Sequence, residues 1–153
     1  MTDFVDEASA PLTEYVERIG LIWESQGLPR IAGRVVGYLT LQSEPVSLDE
    51  LATALGVSKA SVSSDARYLA RLGYINLTTR RGDRRDYYVI APDMPARLTA
   101  AKLDEIERLH HALTTASESP GMPEAVRTRL RAFGQFQMSV IESLRALVEG
   151  RTR

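Results

Sequence analysis

One stretch narrows the folds open to this chain more than any other: the run from Ser47 to Ala91. Ser47 followed three residues later by Glu50 has the form of a capping box, in which serine caps a helix and the glutamate reaches back to the cap. Leu48, Leu51, Ala52 and Leu55 then recur on one helical face. Gly56 stands where that helix must stop and turn, a position that suits φ > 0. Ser58 can cap a second helix, Lys59 to about Leu72, with Val62, Ala66, Leu69 and Leu72 towards the core. Lys59, Ser61, Ser63, Ser64, Arg67 and Tyr68 are left pointing partly or wholly outward. A face with many hydrogen-bond donors and few acids suits a helix placed in the major groove of DNA.

Gly73 ends the second helix, and two runs rich in Tyr, Ile, Thr and Val follow, Tyr74 to Thr79 and Asp86 to Ala91. They read as the strands of a hairpin. Its tip is Arg80-Arg81-Gly82-Asp83-Arg84-Arg85. Four like charges on one tip repel each other, and a plain turn needs none of them. They make sense against a polyanion. In isolation the tip reads as well as a solvated charged loop. Directly behind two helices and a tight turn, it reads as a DNA-contacting wing.

These residues carry a family likeness. Ser47–Ala91 resembles the winged helix-turn-helix of the MarR superfamily of transcriptional regulators, and Asp83-Arg84-Arg85 matches that family's Asp-x-Arg wing motif. The resemblance implies that the motif's arginine enters a minor groove and that Asp83 orients it. The segment Gly27–Leu41 and the helix start Ser58–Ser63 resemble more specifically the GbsR-like branch. After the wing, many members carry a Leu-Thr-x-x-Gly segment, where this chain has Ile90-Ala-Pro-Asp-Met-Pro95. The likeness covers about Val16 to Asp93; beyond that only a helical pattern matches.

At 153 residues the chain is expected to be one domain, or one domain with helical extensions. Cysteine is absent, which removes disulfides, thiolate metal sites and thiol redox sensing. No run of about 18 apolar residues appears, so no membrane span is expected. The opening Met-Thr-Asp-Phe lacks the basic-then-apolar order of a signal peptide, so a cytoplasmic location is expected. The net charge of −1 looks wrong for a DNA binder until it is divided. Residues 59–86 hold seven Lys or Arg against three Asp, whereas residues 1–26 hold one Arg against six acids. Local potential, not the total, attracts phosphate.

The flanks read as helices. In residues 3–26, Phe4, Ala8, Leu12, Tyr15, Val16, Ile19, Ile22 and Trp23 recur at helical spacing. Pro11 either kinks that helix or sits in its first turn. Gly27 stops it, and a second helix spans about Pro29 to Ser43. There Gly33 and Gly37 present a smooth face for close backbone approach, or a ligand-facing one. Residues 44–46 read as a loop, and Pro92–Pro95 as a break. Helices then span about Ala96 to Ser117 and Glu124 to Glu149, separated by Ser119–Pro123. The fold expected is mainly α with a small β-hairpin (α+β), in three segments: an N-terminal dimerisation helix over 1–26, a winged helix-turn-helix over 27–93, and dimerisation helices over 94–153. The terminal helices carry more apolar surface than the small winged body can cover, which points to a second copy of the chain. A larger monomeric core would also absorb it. A dimer would set two recognition helices about 34 Å apart and read a palindromic operator.

The function expected is that of a homodimeric, sequence-specific transcriptional regulator, a repressor, with no cofactor and with double-stranded DNA as partner. Its DNA-contacting residues would be Ser58, Lys59, Ser61, Ser63, Ser64, Arg67, Arg80, Arg81, Asp83, Arg84 and Arg85. A small-molecule effector would sit among Tyr15, Trp23, Tyr38, Phe133 and Phe136. The branch resemblance implies a choline-type quaternary ammonium ion, which aromatic cages bind by cation–π attraction. The same aromatics also serve as ordinary core. Adjacent His110 and His111 point about 100° apart on a helix and do not chelate together; Glu107 and His111, four residues apart, make at best a two-ligand surface site, short of the three or four that zinc needs. No hydrolase elbow, phosphate loop or dinucleotide fingerprint is present, so no enzyme is expected. The alternative is a winged helix that binds protein, but such a wing should carry apolar residues at its tip.

Overall fold

The computed structural model describes residues 3–150, with side chains from Ser9 onward. Phe4 and Ala8, assigned above to an apolar stripe, lie outside the described side chains. The order of elements is α1 (Asp3–Ser25), α2 (Arg30–Thr40), β1 (Val46–Ser47), α3 (Leu48–Leu55), α4 (Lys59–Arg71), β2 (Ile75–Thr78), β3 (Tyr87–Ile90), α5 (Met94–Glu118) and α6 (Glu124–Gly150). The structure is mostly helical with a small antiparallel sheet, as expected, and it divides into two compact units at Met94–Pro95. Among the described residues, no helix is long and apolar enough to cross a membrane.

The first unit is built on a glycine-lined seam between α1 and α2. A Cβ added at Gly33 would lie 2.8 Å from Cβ of Trp23, and one at Gly37 3.3 Å from Cα of Val16. The close approach predicted for these two glycines is therefore real. A third, Gly20 on α1, was not singled out by the sequence reading; a Cβ there would lie 2.6 Å from Cγ of Arg34. Each costs about 1 kcal/mol in helix propensity against alanine, offset by tight packing. Val16 and Trp23 are buried in the seam, and the Trp23 ring meets Tyr74 edge-on at 6.0 Å. Leu12, Leu21 and Ile22 stay about half exposed. The helix runs through Pro11 without a break. α2 ends at Thr40 rather than Ser43 and starts from Pro29 as its N-cap, where the pyrrolidine offers no capping side chain.

The helix-turn-helix follows the local signals closely. Ser47 Oγ accepts from the Glu50 backbone N–H, and the Glu50 carboxylate accepts from the Ser47 N–H at 2.7 Å. These bonds hold the Glu50 carboxyl below its ordinary range. Gly56 adopts φ 62 at the end of α3. Leu51, Leu55, Val62, Ala66 and Leu69 are buried. Leu72 is not: α4 stops at Arg71, so Leu72 becomes its C-cap, 38% exposed, and Gly73 turns the chain with φ 72. The hydrophobic role passes to Tyr74.

The sheet has three strands in the order β1-β3-β2, all antiparallel. The hairpin strands are shorter than their sequence runs. The extra strand, β1, falls partly on residues read as a loop; at two residues it is too short to show alternation. Tyr87 lies opposite Ser47 on one side and Thr78 on the other.

The second unit is a helical hairpin. α5 begins at Met94, so Pro95 sits in its first turn, where its missing N–H is harmless. Gly121, with φ 78, turns the chain into α6. Leu113 and Ile141 are buried, His110 Nδ1 lies 3.0 Å from the Gly134 carbonyl, and Arg145 pairs with Glu107 at 2.6 Å. Leu109, Phe133, Phe136 and Leu147 remain largely exposed.

Candidate nucleic-acid interface

The outer face of α4 carries the donors that the sequence places there, but not all are equally free. Ser58 Oγ accepts from the Ser61 N–H at 3.1 Å, and the two hydroxyls lie 2.8 Å apart. Both therefore serve the helix cap, each keeping part of its bonding capacity. Lys59 pairs with Asp49 at 2.7 Å, with both side chains more than half exposed. Such a surface pair is worth little and yields readily to a phosphate. Ser63 is half-buried, whereas Ser64 and Arg67 are exposed. Ser64 and Arg67 line an open groove with Arg71, which was not nominated. Its signal was the basic residue in the last helical turn. Asp65 is partly buried, and burial pushes its carboxyl above the ordinary range.

At the wing, Gly82 adopts φ 83 and the Asp83 N–H donates to the Arg80 carbonyl at 3.0 Å. Asp83 then binds Arg85 repeatedly. Its oxygens accept from the Arg85 backbone N–H at 3.0 Å, from Nε at 2.9 Å and from Nη2 at 2.6 Å. Asp83 Oδ2 also accepts from the Tyr87 hydroxyl at 2.7 Å. The guanidinium and these hydrogen bonds hold the Asp83 carboxyl well below the usual carboxylate range and raise Arg85. Arg80 lies over the Tyr87 ring at 4.4 Å and donates to the Pro45 carbonyl at 3.0 Å. All four arginines are exposed; what separates Arg80 and Arg85 is the contacts just described. The wing thus has two arginines in fixed contacts and two at its rim. The sequence reading missed Tyr87, since in one dimension it is simply a strand aromatic.

The nominated effector aromatics have different surroundings. Tyr38 lines a cleft of about 220 Å³ in the first unit, with Leu12, Val16, Glu17, Arg34 and Leu55 among its walls. Tyr15 and Trp23 do not line it; Trp23 is committed to the α1–α2 seam. Phe133 and Phe136 are exposed on α6. Beside the cleft, Arg34 Nε lies 2.6 Å from Glu17, and Arg34 Nη2 donates to the Leu55 carbonyl at 2.7 Å. Of the possible metal ligands, His110 is occupied by Gly134 and Glu107 by Arg145. No group of three or more His, Cys, Asp or Glu suited to a metal ion occurs among the described residues.

Helices α2–α4 with a three-stranded sheet and a basic β2–β3 loop make a winged helix-turn-helix. Residues 26–86 match the family model described as the MarR family. The chain is 40% identical over 96 residues to the HTH-type transcriptional regulator MmpR5 of Mycobacterium tuberculosis, a match covering 61% of this chain and 58% of that one. It is 29% identical over 91 residues to the HTH-type transcriptional repressor OpcR of Bacillus subtilis, covering 60% of this chain and 48% of that one. The chain spans about half the length of the curated relatives it matches. A crystal structure of a transcriptional regulator, 28% identical, matches 93% of this chain and 98% of its own with a TM-score of 0.69. All three are named as transcriptional regulators or a repressor.

Proposed function

We propose that this chain is a homodimeric, sequence-specific DNA-binding repressor, reading a palindromic operator through α4 and the 80–85 wing. The observation that carries this is the wing: four arginines at the tip of a MarR-type winged helix, beside a helix face of serines, Lys59 and Arg67. The likeness to a protein named as a repressor supports the sign of regulation. The Gly27–Leu41 and Ser58–Ser63 segments support placement in the GbsR-like branch. Dimerisation is supported by Leu109, Phe133, Phe136 and Leu147, large apolar side chains left in water on α5 and α6. Relief by a small-molecule effector is supported by the Tyr38 cleft, because its Arg34 links α1 to the end of α3. A ligand acts there only by binding one dimer geometry better than another. A protein that works on chromosomal DNA in this way acts in the cytoplasm.

The test is a pull-down of fragmented genomic DNA from the source organism at about 150 mM salt, where non-specific binding is weak. A few enriched sites sharing an inverted repeat, with half-sites about one helical turn apart, are expected. Uniform recovery of fragments without a shared motif would overturn the operator reading.

A further inference from the structure

The wing divides its arginines into two kinds, and one buried residue makes the division. Tyr87 is 2% exposed on the central strand, paired on both sides. A side chain so fixed cannot follow a mobile loop; the loop must come to it. Its hydroxyl donates to Asp83 and accepts from Arg85 Nη2 at 2.9 Å. Its ring lies beneath Arg80, whose far end is held by the Pro45 carbonyl. Accordingly, we propose that Tyr87 is a positioning residue for DNA recognition, setting Arg80 and Arg85 before the duplex arrives. This rests on the DNA-binding reading above.

The physical advantage is a separation of tasks. A long side chain ordered only on binding loses rotamer freedom at that moment. Arg80 and Arg85 have lost theirs on folding. Arg85 is also largely neutralised by Asp83, so it adds little to counterion release, and its value lies in where it points. Arg81 and Arg84, exposed at the rim, supply charge. Position and charge thus reside in different arginines of the same tip.

The experiment uses Tyr87→Phe, which keeps the ring under Arg80 and removes both hydroxyl bonds. Arginine Nε–Hε signals are followed by NMR in the free protein. Binding to an enriched operator and to a mixed-sequence duplex is measured across salt concentrations. In the parent, Arg85, whose Nε donates to Asp83, should exchange with water more slowly than Arg81 and Arg84, and Tyr87→Phe, by releasing Asp83 from the hydroxyl, should reduce that protection. Operator affinity should fall about fivefold to tenfold, in line with one or two lost hydrogen bonds. The salt slope and mixed-sequence affinity should stay as they are, because no charge is removed. Should Tyr87→Phe fold poorly, Arg80→Lys tests the same point, since it keeps the charge and gives up the planar stacking. An operator affinity equal to the parent's, or four arginines with equal protection, overturns the positioning role while DNA binding stands. If the parent itself prefers no duplex, the DNA-binding reading fails and takes this role with it.

Discussion

The two units use their apolar residues in opposite ways. In the first, three glycines let α1 and α2 approach until Trp23, Val16 and the α2 backbone fill one seam, and the α3–α4 core is closed. In the second, among the described residues, Leu113 and Ile141 are the large apolar side chains that are buried, while Phe133, Phe136 and Leu147 face water. The first unit closes a seam and a core of its own, though Leu12, Leu21 and Ile22 on α1 stay about half exposed. The other leaves a face that the proposed dimer would cover. The lesson is that apolar periodicity in a sequence does not say against what a helix packs. The stripes of α1 and α6 read alike, yet α1 buries Val16 and Trp23 against α2 while Phe133 and Leu147 of α6 are exposed.

This contrast can be broken most forcefully at the seam. Gly33→Leu places bulk where even a Cβ meets Trp23, and should destabilise the first unit by about 3 kcal/mol or more in urea unfolding. A smaller loss would mean that the seam is looser than its distances suggest. Next comes the open face: Phe136→Asp with Leu147→Asp should weaken self-association at least about thirtyfold, or about 2 kcal/mol, by analytical ultracentrifugation. The first unit should keep its melting behaviour. Unchanged association would locate the dimer contacts elsewhere. At the wing, Arg81→Ala with Arg84→Ala, present in both copies of the proposed dimer, should lower operator affinity at least about tenfold and reduce the log–log salt slope by about 3.6, four phosphate contacts' worth. A slope equal to the parent's would remove these arginines from the interface. The smallest effect sharpens the contrast by inverting it. A Cβ at Gly134 meets its nearest neighbour, His110, at an ordinary 3.8 Å. Gly134→Ala should therefore stabilise the protein by up to about 1 kcal/mol, through helix propensity alone, as a rise in melting temperature.

What was legible in the sequence was local. The Ser47–Glu50 capping box, the left-handed turn at Gly56 and the Ser58 cap each involve residues within three positions, and each is found as read. Gly33 and Gly37 were legible because their spacing on one helix is itself the signal. What could not be read depends on partners far away in sequence. Gly20 matters because Arg34 lies against it. β1 exists because β3 is there to pair with it, and Arg80 is fixed by a carbonyl 35 residues earlier. Leu72 was misplaced by one residue of helix, enough to turn it from core to cap. At the candidate site, the arginines and serines were visible as composition, but the division of labour among them was not. That division comes from Tyr87, whose neighbours are assembled by the sheet.

Ser47 has an unusual double duty: it is both the ladder partner of Tyr87 and the cap of α3. No linker separates the sheet from the helix-turn-helix, so there is no joint at which the wing could swivel independently. One residue inserted at this point would flip the facing of β1 and strip α3 of its cap together.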